Sequence, residues 1–184
     1  NLNASPSAII LGGAECRVPI EDLFDVEPGK TIVQRVVGSI AGTQERTAFA
    51  SMEYAILKWK PQVLVVLMES NSPIIQAALT QLRGDFQPRA PIKVVLDQLM
   101  VSALRAVQQV QRLQGGLTAA GRDLKTRQLA TELSAFYSIE LLLNSKRIRE
   151  QVDAGLLELH AAVTDSTTGR VRFLGEHPMQ EKMM

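Results

Sequence analysis

Three observations predict an α/β fold, with a mainly parallel central sheet flanked by helices and a C-terminal antiparallel strand. Short β-branched runs bounded by Gly or Pro recur along the chain. Longer segments carrying apolar residues at spacings of three and four separate them. The chain then closes on two strand-like runs joined by turn residues, and strands alternating with helices before a hairpin make such a sheet.

The first strand is expected at Ala8-Ile9-Ile10-Leu11-Gly12 and the second at Thr31 to Val37. Val63 to Met68 is a third run, apolar throughout, as a strand buried on both faces requires. Between the second and third, residues Thr43 to Lys60 place Phe49, Met52, Ile56 and Trp59 on one helical face, with Thr43 as the N-cap. That is a βαβ unit. Pro73 suits a first helical turn and starts a helix through Leu82. Gly84, Pro88 and Pro91 then break the pattern, so 84–91 reads as a loop. Val95, Leu99, Leu104, Val107 and Val110 line a long helix ended by Gly115-Gly116, and Leu129, Leu133, Phe136, Ile139 and Leu143 line another. The last strands are expected at Leu156 to Thr164 and Arg170 to Leu174, joined by Asp165-Ser166-Thr167-Thr168-Gly169. Residues 1–175 read as one domain and 176–184 as a C-terminal tail.

Composition narrows the function classes. The chain has 184 residues, 46% of them hydrophobic, with 20 Lys+Arg against 19 Asp+Glu. One good core can be buried, and no charge excess draws the chain to nucleic acid or an anionic membrane. No apolar run reaches the ~18 residues of a membrane span. The single cysteine, Cys16, excludes an intramolecular disulfide. With only His160 and His177 beside it, a soft-ligand metal cluster cannot be assembled within the chain. Asn1 in place of Met predicts a processed precursor or a piece of a longer polypeptide. A soluble domain of an organelle or another intracellular compartment is the corresponding expectation.

Five stretches are more specific. Gly12-Gly13-Ala14-Glu15-Cys16-Arg17-Val18-Pro19, followed by Glu21, Leu23-Phe24 and Glu27-Pro28-Gly29, resembles without a gap the β-carbonic anhydrase motif Cys-x-Asp-Ser-Arg-Val-Pro and its downstream residues. Arg35, Gly38 and Ile40 fall where that family has Arg-Asn-Ala-Gly-Asn-Ile, and Ser51-Met52-Glu53-Tyr54-Ala55 is similar to its Ser-x-Glu-Tyr-Ala helix. Leu64 to Leu79 resembles the strand and loop carrying His-x-x-Cys. Leu141 to Leu174, with Asn144-Ser145, Ile148-Arg149, Gly155 and Thr168-Gly169-Arg170-Val171, resembles the C-terminal helix and last strands. The resemblance covers nearly the whole chain, apart from the family's N-terminal helical arm, which wraps a partner subunit.

The resemblance implies carbonic anhydrase activity on zinc, but the residues at its chemical positions differ. The family holds zinc with two cysteines and a histidine; here those positions are Gly13, Glu69 and Ser72. Glycine has no donor and an un-ionised serine hydroxyl is a poor zinc ligand, so zinc is expected to be absent. The acidic partner of the family's active-site arginine becomes Glu15 while Arg17 is kept, which predicts a Glu15–Arg17 clamp as the remnant of a catalytic dyad. Pro73 and Ile74, in place of a glycine and an alanine, are expected to fill the space of metal and substrate.

Each of these residues has two readings. Cys16 beside an arginine could be a reactive thiol or a small buried residue. Glu15 and Glu69 could share Mg²⁺, Mn²⁺ or a proton across the vacated pocket, or pair with Arg17, Arg35 or water. His160 and His177 read as structural or solvated, and the Lys146-Arg147-Ile148-Arg149 cluster, with Arg170 and Arg172, as a solvated charged face. Two functions stay open. One is a non-catalytic structural, scaffolding or regulatory domain, a homodimer or a heteromer with related domains. The other is an enzyme of altered chemistry using Glu15, Cys16, Arg17 and Glu69, or one with residual carbonate dehydratase activity.

Overall fold

A computed structural model describes residues 5–113 and 116–184. Five strands, β1 (Ala8–Gly13), β2 (Thr31–Val36), β3 (Val63–Glu69), β4 (Glu158–Thr164) and β5 (Val171–Gly175), form one sheet in the order β2-β1-β3-β4-β5. β2, β1, β3 and β4 run parallel, and β5 is antiparallel to β4, with a bulge between Ala161 and Ala162. This is the fold class that the alternation of elements predicts.

The helices are α1 (Ile20–Leu23), α2 (Thr47–Trp59), α3 (Pro73–Arg83), α4 (Lys93–Arg112), α5 (Ala119–Leu142), α6 (Lys146–Asp153) and α7 (Gln180–Met183). Period-two alternation divides the strand residues between two cores. Ile9, Leu11, Leu64, Val66, Leu159 and Ala161 face a large cluster shared with α2 to α6. Ile10, Val65, Leu67 and Ala162 face a small one, covered by Ile20 and Leu23 of α1 and by Phe24. That second face is left partly open. An apolar groove of about 320 Å³ runs over Ile10, Val65, Phe24, His160 and Phe173, with Phe173 56% exposed.

Several local expectations are corrected. α2 starts at Thr47 after Arg46, not at Thr43, whose carbonyl instead accepts the Arg46 N–H in a preceding turn. Trp59 and Leu104 are exposed because their helices turn them past the packed stripe, whereas Phe49, Met52, Ile56 and Leu99 are buried. The expected hairpin turn forms with Asp165 Oδ1 accepting the N–H groups of Thr167 and Thr168. Gly115, expected to end α4, lies outside the described residues. The segment read as a tail folds back, burying Gln180 and packing Met183 on the main core. Among the described residues no helix is long and apolar enough to cross a membrane.

Candidate functional site

The chain leaves β1 toward β2 on one side and later places β3 on the other, so the sheet reverses its order between β1 and β3. In open parallel sheets the crevice beyond the carboxyl ends of such strands is where ligands bind. β1 ends at Gly13 and β3 at Glu69, and beyond them opens a cleft of about 620 Å³ lined by Glu15, Arg17, Glu69, Pro73, Asp165 and Ser166. Glu15, Cys16, Arg17 and Glu69 line this cleft, and Gly13 and Ser72 lie behind it against Glu15.

Their contacts differ from those expected. Glu15 turns away from Arg17, and its carboxylate accepts the Gly38 N–H at 3.2 and 3.3 Å and the Ser72 hydroxyl at 2.9 Å. Arg17 is exposed, so the expected Glu15–Arg17 clamp is not formed. The reason is desolvation. Ser72 is 2% exposed and the Gly38 amide is a buried donor at a tight turn, so both need an acceptor that water cannot supply, whereas Arg17 is solvated at the rim. Arg35 does not pair with either carboxylate; its Nη2 donates to the carbonyls of Cys16 at 2.6 Å and Val18 at 3.0 Å, bracing the loop.

Gly13 and Ser72 belong to the same arrangement. A Cβ built on Gly13 would stand 2.9 Å from Glu15 Cδ, with the carboxylate oxygens at 3.0 and 3.1 Å. The Glu15 carboxylate therefore lies in the space a side chain at position 13 would need. Ser72 precedes α3 as its N-cap, yet its hydroxyl makes no cap bond and goes to Glu15. Gly38 presents its N–H from a φ of 68°, and a Cβ there would meet Leu99 Cδ1 at 2.9 Å, so glycine is needed for conformation and for space. Ile74 points toward this buried position, and its methyl would be 3.3 Å from that Cβ. The expectation that Ile74 fills the cleft is thus corrected: of the two, Pro73 lines it and Ile74 does not, and Glu15 plugs its floor.

Glu69 stays in the cleft wall. Burial, and secondly the Glu15 charge, push its carboxyl above the ordinary carboxylate range, while a Ser166 hydrogen bond and Arg17 pull it partly back. Cys16 is buried at the edge of the cleft, with Sγ 3.6 Å from the Val18 carbonyl. His160 lies on the open sheet face, 3.0 Å from Glu158, and His177 lies against α5; neither is in the cleft. Among the described residues no group of three or more His, Cys, Asp or Glu side chains could hold a metal ion. Sequence reading missed the serines behind the floor. Ser39 Oγ donates to the Leu67 carbonyl, and Ser138 Oγ donates to the Ser39 carbonyl while accepting the Ala41 N–H, fixing the turn that carries Gly38. Polar residues on otherwise apolar helix faces were the available signal.

The family model described as carbonic anhydrase matches residues 8–171. The chain belongs to the carbonic anhydrase family. Carbonic anhydrase 2 of Mycobacterium tuberculosis is 28% identical over 99 residues, 54% of this chain and 46% of that protein. The carbonic anhydrase of Mycolicibacterium smegmatis is 27% identical over 99 residues, 54% of this chain and 47% of that one. The chain thus spans about half the length of the curated relatives it matches. In fold it is similar to a tetrameric β-carbonic anhydrase of Sordaria macrospora, with a TM-score of 0.77 and 21% identity, covering 94% of this chain and 82% of that one. It is likewise similar to the Coccomyxa β-carbonic anhydrase in complex with acetazolamide, with a TM-score of 0.75 and 21% identity, covering 93% and 72%. The fold is that of the β class of carbonic anhydrases.

Proposed function

We propose that this carbonic anhydrase-family domain is zinc-free and non-catalytic, and that it serves as a structural, scaffolding or regulatory subunit or as an inactive half beside a related domain. The observation that carries this reading is the Glu15 carboxylate, seated over Gly13 and hydrogen-bonded to Ser72 and Gly38. Zinc takes thiolate, imidazole or carboxylate donors arranged tetrahedrally. Gly13 offers none, the Ser72 hydroxyl is engaged by Glu15, and Glu69 alone of the three positions retains a donor. The donor set does not fit the ion. Without bound metal no water with a pKa near about 7 is available as the nucleophile for CO2.

The apolar groove on the open sheet face, with Phe24 and Phe173 edge to face at 6.1 Å, supports association with a second copy or a related domain. One observation favours a second reading, chemistry of another kind in the same cleft: Glu69 has a raised carboxyl beside Arg17. Elemental analysis of the purified chain together with a CO2 hydration assay tests the first reading. We expect no stoichiometric zinc and no rate above buffer. One equivalent of zinc, or a hydration rate abolished by a zinc chelator, would overturn it.

A further inference from the structure

The C-terminal segment leaves β5 at Gly175 and returns to the helices through His177, with Met183 packed on the core beyond it. α7 has four residues, too few to be held by its own backbone bonds, so its attachment lies in side-chain contacts. Both ring nitrogens of His177 are engaged there. The Met179 N–H donates to Nδ1 at 3.1 Å, which requires a lone pair on Nδ1 and leaves the ring proton on Nε2. Nε2 faces Glu140 Oε1 on α5 at 3.3 Å, and the side chain is only 11% exposed. The ring stands edge to face with Phe136, centroids 5.4 Å apart. The His177 carbonyl in turn accepts the Gln180 N–H at 2.9 Å, and Gln180 is buried.

Glu140 is not a free counter-charge. Arg105 of α4 grips it with two parallel bonds, Nη1 to Oε1 at 2.5 Å and Nη2 to Oε2 at 3.1 Å, while its guanidinium stands 5.7 Å from the centroid of the Tyr137 ring. The groups facing His177 are therefore Glu140 with Tyr137 behind it from α5, and Arg105 from α4; Glu176, Glu181 and Lys182 flank it on its own segment. Such surroundings suit a neutral imidazole. A proton on Nδ1 would set a second donor against the Met179 N–H and add charge to a largely buried ring whose carboxylate neighbour is already paired. Burial, first, and Arg105 depress the basicity of His177, and Glu140 offsets them only in part.

We infer that His177 is a proton-sensitive latch: neutral, it clamps residues 176–184 onto α5, and protonated, it releases them and uncovers Phe136 and the core patch beneath Met183. No part of this depends on what the cleft does.

Hydrogen exchange on the full chain, corrected for the intrinsic effect of pH, tests the latch. The Gln180 and Lys182 amides, which donate to the His177 and Met179 carbonyls, should lose protection several-fold between pH 8 and pH 5, while β3 amides keep theirs. In His177→Gln the pH dependence should vanish at whatever level of protection that variant shows, and in His160→Gln it should persist. Arg105→Met, which leaves Glu140 free to pair with an imidazolium, should lessen the loss of protection at pH 5 without abolishing it, because the Met179 N–H bond to Nδ1 is still given up. Equal protection at pH 8 and pH 5 in the parent chain, or an unchanged fall in His177→Gln, would overturn the inference.

Discussion

Gly13→Ala places a methyl group against the Glu15 carboxylate, at 2.9 Å from Cδ and 3.0 to 3.1 Å from the oxygens. Unbonded carbons settle at about 3.5–4.0 Å, so the carboxylate must retreat by up to about an ångström. Its hydrogen bonds from Ser72 at 2.9 Å and Gly38 at 3.2 to 3.3 Å do not survive such a shift intact. Bonds to a charged group are worth about 1.5–3 kcal/mol each, and Glu15 is only half-buried, so a net loss of about 2 kcal/mol is expected. For a chain of this length that corresponds to a fall in Tm of about 4–8 °C. In a Glu15→Ala background the three nearest atoms to that methyl group, all of the Glu15 carboxylate, are gone. Gly13 does not have a positive φ, so Gly13→Ala should there be neutral or stabilise by about 0.4–1 kcal/mol through the unfolded chain. The double-mutant cycle, measured by urea unfolding at one protein concentration, should give a coupling of about 2–3 kcal/mol. Equal costs for Gly13→Ala in both backgrounds, within about 0.5 kcal/mol, would show that the carboxylate does not occupy the position-13 space.

Restoring Gly13→Cys, Glu69→His and Ser72→Cys together with Glu15→Asp should create measurable zinc affinity, with hydration lagging behind it; a folded quadruple variant that binds zinc no better than the parent would show a remodelled floor. Glu69 has a raised folded-state pKa, so its favourable contribution is complete below the unfolded value of about 4.3 and is lost as pH rises through the folded one. Glu69→Gln should therefore stabilise the chain at pH 7 to 8 and lose that advantage near pH 4, as followed by urea unfolding across pH. Light scattering at micromolar concentration should show a dimer or larger species, and Phe173→Glu, on the open sheet face, should shift it toward monomer. A strictly monomeric parent would count against the association.

The order of elements was legible because Val63 to Met68 is apolar at every position and the faces of the flanking helices repeat at three and four. Of the three positions the motif register singles out, Glu69 lines the cleft, while Gly13 and Ser72 sit against the Glu15 carboxylate. What the residues between them do there was not legible. Glu15 stands two positions from Gly13 and two from Arg17, so alternation alone offers both neighbours equally. The choice is made by buried donors distant in sequence, Ser72 and the Gly38 amide, which become visible only when β2 and β3 lie on either side of β1. Similarly, nothing local in residues 176–184 announces docking, since the partners of His177 are Glu140 and Phe136 on α5.

Ser138 and Glu140 are two residues apart on α5, about 3 Å along its axis and roughly 200° around it. One side of this turn is tied to the serine-braced loop beneath the cleft, the other to Arg105 and the C-terminal segment. This one turn is thus a common mooring: Ser138 ties it to the loop beneath the cleft, and Glu140 ties it to Arg105 and faces His177 of the C-terminal segment.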